Sequence, residues 1–337
     1  MNASKHNYTK SSEFCNKVTG MTYALIASLI FTFNGILLQY FELQANNVVA
    51  IRSIIQIVAV GAVLKGKSKP LWITNVDDKH NISTIRLLLM TQAISSCMTL
   101  VCTYSAVLNM PFGDAMTIIF SSPVSTIILS NIFLKETCGV YRFACAILLM
   151  NGIILVVQPP LIFNFFLKHT DNSFDLVVID KQYLYGALMA FTASVSFAIT
   201  SVAVKKLYAN KTTNSATLLT FYAGLGGWLV IFNVIYVEMN QHQSLTSIST
   251  SKGILSCCVA VQGLLAQYIR NLSIKRIEPV LVNFLSSFEI LVAYIAQIII
   301  FNTMPNILAT VGSMVVILSV FAVTFEKILL QNFRLII

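Results

Sequence analysis

Ten times along this chain, apolar residues continue for roughly 20 positions, the length a helix needs to cross the hydrocarbon of a bilayer. The runs lie near 20–40, 45–64, 86–107, 113–133, 139–159, 184–204, 215–237, 253–270, 278–301 and 306–326. Inside a bilayer every backbone N–H and C=O must be paired within the protein, so each run is constrained to be helical. Composition settles which solvent applies: 56% of the 337 residues are hydrophobic and 10% are charged. A soluble domain carries about 25% charged residues. The expectation is an all-α polytopic membrane protein with ten transmembrane helices.

The charged residues orient the spans. With both termini cytosolic, eighteen of the 22 lysines and arginines fall on the cytosolic side. Lys168, Lys181 and Lys252 fall on the other, and Arg52 lies within a span. Such asymmetry is the positive-inside pattern. The net charge of +9 is therefore a topology signal spread between apolar runs, not a basic patch, and no nucleic-acid partner is expected. The first 18 residues are polar and of mixed charge, with no small-residue cleavage site after a short apolar core, so no cleavable signal peptide is expected. The seven cysteines lack metal-ligand spacing and read as soft hydrophobes.

This topology makes a prediction. The acceptor sequons at Asn2, Asn7, Asn81 and Asn210 fall on the cytosolic side, and Asn271 at the cytosolic end of the eighth span. The protein should carry no N-glycan, and N-glycosidase treatment should leave its electrophoretic mobility unchanged; a shift would overturn the orientation.

The longest external loop divides the spans five and five. The boundaries expected are a cytosolic tail (1–18), a first five-helix repeat (19–161), an external loop (162–182), a second repeat (183–328) and a C-terminal tail (329–337). The fourth and ninth spans both follow a proline-containing turn (Pro111, Pro279) and both run into a short polar turn. An odd number of helices per repeat inserts the second copy upside down, the arrangement of carriers that alternate access about a midplane site.

The fourth span, "GDAMTIIFSSPVSTIILSNIFLKE" (113–136), is apolar yet rich in hydroxyls. Pro123 has no N–H, and its ring clashes with the carbonyl of Ile119, so one rung of a continuous helix is lost. Ser121, Ser122, Ser125 and Thr126 surround that helix break. Broken backbone survives at membrane depth only where it is buried in protein or lines a wet cavity. Two readings follow: an interior wall facing the bundle centre, or a kink whose hydroxyls bond their own backbone.

The extended stretch "PFGDAMTIIFSSPVSTIILSNIFLKE" resembles the fourth-helix signature of the EamA-type drug/metabolite transporter superfamily. "NGIILVVQPPLIF" (151–163) resembles the end of that family's fifth helix. "FEILVAYIAQIIIFNTMP" (288–305) is similar to the ninth helix and its turn in the G subgroup of solute carrier family 35. "IKRIEP" (274–279) departs from the small Ala-Gly-Pro turn of relatives. The resemblance spans roughly 20–327 and implies two inverted five-helix EamA repeats and a transport function.

Charge inside a span is expensive and usually functional. Glu289 lies near the middle of the ninth span, and Asn283, Ser286, Glu289, Ala293 and Gln297 recur at helical steps on one face. Glu289 is either a proton- or cation-coupling carboxylate or a structural one. Arg52 lies in the second span with Gln56 one turn later, at a place where the resemblance implies a recurrent arginine. It could bind an anion, pair with Glu289, or snorkel outward. Asn34 and Gln39, Gln92 and Ser96, and Gln262 and Gln267 are further polar candidates, each alone more often a helix–helix hydrogen bond than a ligand contact. Ala187, Ala190, Ser194, Ala198 and Ser201 read as a packing face.

No catalytic constellation is present: the four histidines are scattered outside the spans and no phosphate-binding Gly-rich loop occurs. Neither an enzyme, a metal site nor a cofactor is expected. The functional expectation is a secondary transporter of a small polar or anionic metabolite, proton-coupled or exchanging. The alternatives are a non-transporting regulatory partner, which the resemblance links to calcium-store signalling, and a nucleotide-sugar carrier of the secretory pathway. The implied partners are a small-molecule substrate and the lipid bilayer, with homo-oligomers open; the membrane is the plasma membrane or the endoplasmic reticulum and Golgi.

Overall fold

A computed structural model describes residues 2–41, 45–66, 79–109, 115, 118–135, 139–157, 181–209, 215–228, 250–292, 299 and 307–324. Among them the regular structure is ten α-helices: α1 (Asn2–Tyr40), α2 (Ala45–Gly66), α3 (Lys79–Asn109), α4 (Ser122–Leu134), α5 (Val140–Val157), α6 (Lys181–Ala209), α7 (Ala216–Gly226), α8 (Thr250–Arg276), α9 (Pro279–Ser286) and α10 (Ile307–Thr324). Each overlaps one of the ten apolar runs, α7 and α9 only over its first part. Residues 48–66, 82–103, 181–209 and 253–276 are each long and apolar enough to cross a membrane, and α4, α5, α7, α9 and α10 add shorter apolar helices. The protein is an integral, multi-pass membrane protein.

Helix ends depart from the expected boundaries where charge was taken as a stop. The helix α1 runs back through the polar segment read as a tail, and at 1.5 Å per residue its 39 residues reach about 58 Å. The helix α8 continues past Arg270 to Arg276.

The described chain divides into two compact units, 1–97 with 200–289 and 98–199 with 290–337. In the first, α1 packs on α8 and α9, and α2 packs on α7 and α8. Leu64, Leu89, Val204, Leu207, Leu219, Val259, Ile274, Val280 and Phe284 are its fully buried interior. Glycines set the closest approach. A Cβ at Gly226 on α7 would stand 2.7 Å from the carbonyl carbon of Ala93 on α3 and closer still to its oxygen. At Gly224 a Cβ would meet Gln56 at 2.9 Å.

In the second unit α5 pairs with α10. Gly152 lets the two meet, since a Cβ there would lie 2.8 Å from Val316. Tyr141 Oη donates to the Ala322 carbonyl at 3.0 Å and Ser319 Oγ to the Cys145 carbonyl at 2.8 Å. Ala106, Ala115 and Ala190 form a small fully buried cluster with Ile118, Ile119 and Ala187 packed against it.

These pairings map onto themselves when each helix is exchanged for the one five places along. The pairs α2–α7 and α5–α10 are their own counterparts. The counterpart of α1–α8 is α6–α3, joined in the first unit by Thr200 Oγ1 donating to Ser95 Oγ at 2.8 Å. In the second unit the same two helices meet through Ala106 and Ala190.

Candidate functional site

The polar residues of the first unit converge on α8. One face of that helix, stepping through Val259, Gly263, Gln267, Arg270 and Ile274 at intervals of three or four residues, meets a polar side chain at nearly every step. Asn34 Nδ2 on α1 donates to the Val259 carbonyl at 2.6 Å. Gly263 leaves room for Arg52 and Asn34, each of which would lie 3.3 Å from a Cβ there. Arg52 Nη2 donates to Gln267 Oε1, and its guanidinium stands 5.9 Å over the ring of Phe31. Gln267 Nε2 in turn donates to Ser96 Oγ at 3.4 Å. Four helices thus supply a half-buried cluster of one guanidinium, two amides and a hydroxyl inside an apolar scaffold.

The second group of amides fixes α7. Gln56 Nε2 donates to the Thr220 carbonyl and Gln92 Nε2 to the Leu219 carbonyl at 2.9 Å. Asn271 Nδ2 donates to Thr220 Oγ1 at 3.1 Å. Gln56 and Asn271 are buried at 2% and 3% exposure, so the sequon at Asn271 is closed by packing. The side-chain Oε1 of Gln92 has no hydrogen-bond partner among the described residues.

The third group surrounds α9. Asn283 Oδ1 accepts from Ser201 Oγ and from Arg270 Nη2, each at 3.1 Å, and Ser286 Oγ donates to the Val282 carbonyl at 3.1 Å. Ser287 is a one-residue turn of right-handed helical conformation whose N–H donates to the carbonyls of Asn283 and Phe284, and the helix continues over 288–292. Asn283, Ser286 and Glu289 lie on this helical stretch of 279–292, and Ala293 and Gln297 lie outside the described residues. Glu289 is half-buried, and its backbone carbonyl accepts from Thr32 Oγ1 at 3.4 Å.

The break expected at Pro123 is also displaced, and its cause differs. The chain turns at 120–121, and Pro123 sits in the first turn of α4, where no rung is lost because that N–H has no helical partner anyway. Ser121 Oγ donates to the Ile118 carbonyl at 2.7 Å and pairs with Ser194 Oγ at 3.0 Å. Thr126 Oγ1 donates to the Ser122 carbonyl at 2.7 Å, and Ser122, Pro123 and Thr126 are buried. Among the described hydroxyl bonds of this stretch, two go to its own backbone and one joins Ser121 to Ser194 of α6.

Sequence reasoning missed that a Ser-Ser pair adjoins a turn in each half, Ser121-Ser122 at the turn of 120–121 and Ser286-Ser287 at the turn of Ser287. The other omission is Arg270, read as a cytosolic residue at the end of a span and found 9% exposed within α8.

The profile of the EamA-like transporter family matches this chain twice, over residues 18–158 and 184–325. Human "Solute carrier family 35 member G1" is 24% identical over 303 residues, which cover 89% of this chain and 77% of that protein. The mouse protein of the same name is 25% identical over 244 residues, 72% of this chain and 62% of its own length. A solved crystal structure matches 92% of this chain and 98% of its own with a TM-score of 0.70 at 12% identity, a likeness of fold alone.

Proposed function

This chain belongs to the EamA-like transporter family, and from that premise we propose that it is a secondary carrier for a small polar or anionic metabolite. In this reading all ten helices span the bilayer, both termini are cytosolic, and the two five-helix repeats are inverted. The exchange of helix pairings between the repeats supports that arrangement. No residue is assigned a catalytic role.

The observation that carries the reading is the cluster of Arg52, Gln267, Asn34 and Ser96. A purely structural membrane bundle has no need of a half-buried guanidinium shared among several helices, because burying that charge is costly. The same fork presents donors in the geometry a carboxylate or phosphate accepts. Arg52 is the anion-binding group, Asn34 and Gln267 orient it, and Glu289 is the coupling carboxylate. Gln56, Gln92 and Asn283 tie neighbouring helices together, as Ser121 ties α4 to α6, while Ser286 and Thr126 bond carbonyls of their own helices, Thr126 that of Ser122.

Uptake into proteoliposomes of purified protein tests this, with labelled organic anions and nucleotide sugars, with and without a pH gradient. Saturable uptake of an organic anion is expected. Uptake confined to nucleotide sugars would reassign the substrate class. No uptake by folded protein would leave a regulatory partner as the account.

A further inference from the structure

Two long spans end side by side in the first unit, and both end in positive charge. The apolar stretches 181–209 and 253–276 close on Lys205, Lys206 and Tyr208 in α6 and on Lys275 and Arg276 in α8. Lys205 Nζ donates to the carbonyls of Ile274 and Ile277 at 3.2 and 2.8 Å, which fixes the two ends together. The helix α1 joins them: Ser273 Oγ donates to the Gly20 carbonyl at 2.7 Å, and a Cβ at Gly20 would stand 3.0 Å from that of Arg276. Lys17 lies one helical step farther out than Gly20 on the same face of α1. Three helices thus bring Lys17, Lys205, Lys206, Lys275 and Arg276 to one end of the unit.

Their setting goes beyond what topology asks. A cation that serves only as a topology signal needs no partner and extends into water. Here Arg276 Cζ stands 4.6 Å over the ring of Tyr23, one helical step inward from Gly20, and Lys275 Nζ stands 5.9 Å over the ring of Tyr208. Both cations are exposed, and neither pairs with a carboxylate among the described residues. Tyr208 is 8% exposed, and its hydroxyl has no hydrogen-bond partner among the described residues, which leaves a donor to spare. The described acid at this end is Glu278, half-buried at the turn into α9. Tyrosine rings at the ends of spans favour the headgroup layer, so cations held on them sit at that level. A cluster of about four or more lysines and arginines beside a span attracts anionic lipid.

We propose that the ends of α1, α6 and α8 form a binding site for a phospholipid whose headgroup carries more than one negative charge, the chemistry of a phosphoinositide. Lys275 and Arg276 contact its phosphates, Lys17 and Lys206 add to the attractive field, and Lys205 braces the frame. A singly charged headgroup would leave most of these cations uncompensated, so a multiply charged one is the better match. Once seated, it ties three helices at the end of α8, the helix that carries the Arg52 cluster. The site does not depend on the carrier reading; the orientation proposed above puts it in the cytosolic leaflet.

The test is the thermal midpoint of full-length protein in neutral detergent, titrated with short-chain phosphatidylinositol bisphosphate, phosphatidylserine, phosphatidylcholine and free inositol trisphosphate. The bisphosphate lipid should raise the midpoint saturably, phosphatidylserine less and phosphatidylcholine not at all, and added salt should weaken the effect. Lys275→Gln combined with Arg276→Gln should weaken the apparent affinity for the bisphosphate lipid roughly 10- to 30-fold. Lys65→Gln combined with Lys181→Gln removes the same charge from the C-terminus of α2 and the N-terminus of α6, and should leave that affinity unchanged. If the first pair does not fold, Lys275→Gln and Arg276→Gln are read singly by the same criterion. No shift with the bisphosphate lipid, an equal shift with phosphatidylserine, or an equal loss in the control pair would overturn the site. Equal stabilisation by inositol trisphosphate would overturn the membrane as its source. Uptake enters none of these readouts, so a failure of the carrier reading leaves the test intact.

Discussion

Replacing Gly226 by valine is expected to abolish the folded protein. The helix α7 crosses α3 so closely that the new Cβ would lie 2.7 Å from the Ala93 carbonyl carbon and inside contact distance of its oxygen. The obstacle is backbone, which cannot rotate away as a side chain can. Gln92 ties α3 to the Leu219 carbonyl of α7, and Gln56 ties α2 to Thr220, so moving α7 away strains both. Overpacking a core costs about 1–3 kcal/mol where side chains absorb the strain; here the loss should exceed about 3 kcal/mol, a large part of a typical total stability. Even Gly226→Ala should lower the thermal midpoint. Gly66→Ala and Gly139→Ala, where a Cβ would meet nothing within 4 Å, should be tolerated. The fraction running as a monodisperse peak on size exclusion, with the midpoint, measures all four; a well-folded Gly226→Val would show that α3 and α7 do not meet in this way.

Arg52→Gln is expected to cost most in function while sparing the fold. It removes the charged donor to Gln267 but keeps a side chain that can hydrogen-bond there. Charge-assisted hydrogen bonds contribute about 1.5–3 kcal/mol, so anion uptake should fall roughly 10- to 100-fold. Arg52→Lys keeps the charge and loses the planar fork, and should fall between the two because a lysine cannot bind an anion bidentately. The change should lie mainly in KM if Arg52 holds substrate. A large drop in thermal midpoint with KM unchanged would make Arg52 a brace instead.

The positions of the helices were legible because hydrocarbon permits only helices, so a run of about 20 apolar residues carries the answer locally. Partners were not. Nothing in the neighbourhood of Gln56 or Gln92 names the carbonyls of Thr220 and Leu219, more than 120 residues away, as their acceptors. The enclosure of Arg270 was hidden for a related reason: in a hydropathy reading a charge ends a span, and only tertiary packing reveals that Ser201 and Asn283 accept from it. The one-residue turn at Ser287 has no proline to announce it; its neighbourhood shares only a Ser-Ser pair with the turn at 120–121. Pro123 shows the reverse error, since a proline is disruptive inside a helix and well suited to its first turn.

The central claim is alternating access, and counterflow tests it most directly. Proteoliposomes preloaded with unlabelled substrate are diluted into a trace of the labelled compound. A carrier that exposes one site to each side in turn should drive a transient accumulation of label above the equilibrium level, abolished by Arg52→Gln. Label that rises to equilibrium with no overshoot would contradict the account and make the protein a channel.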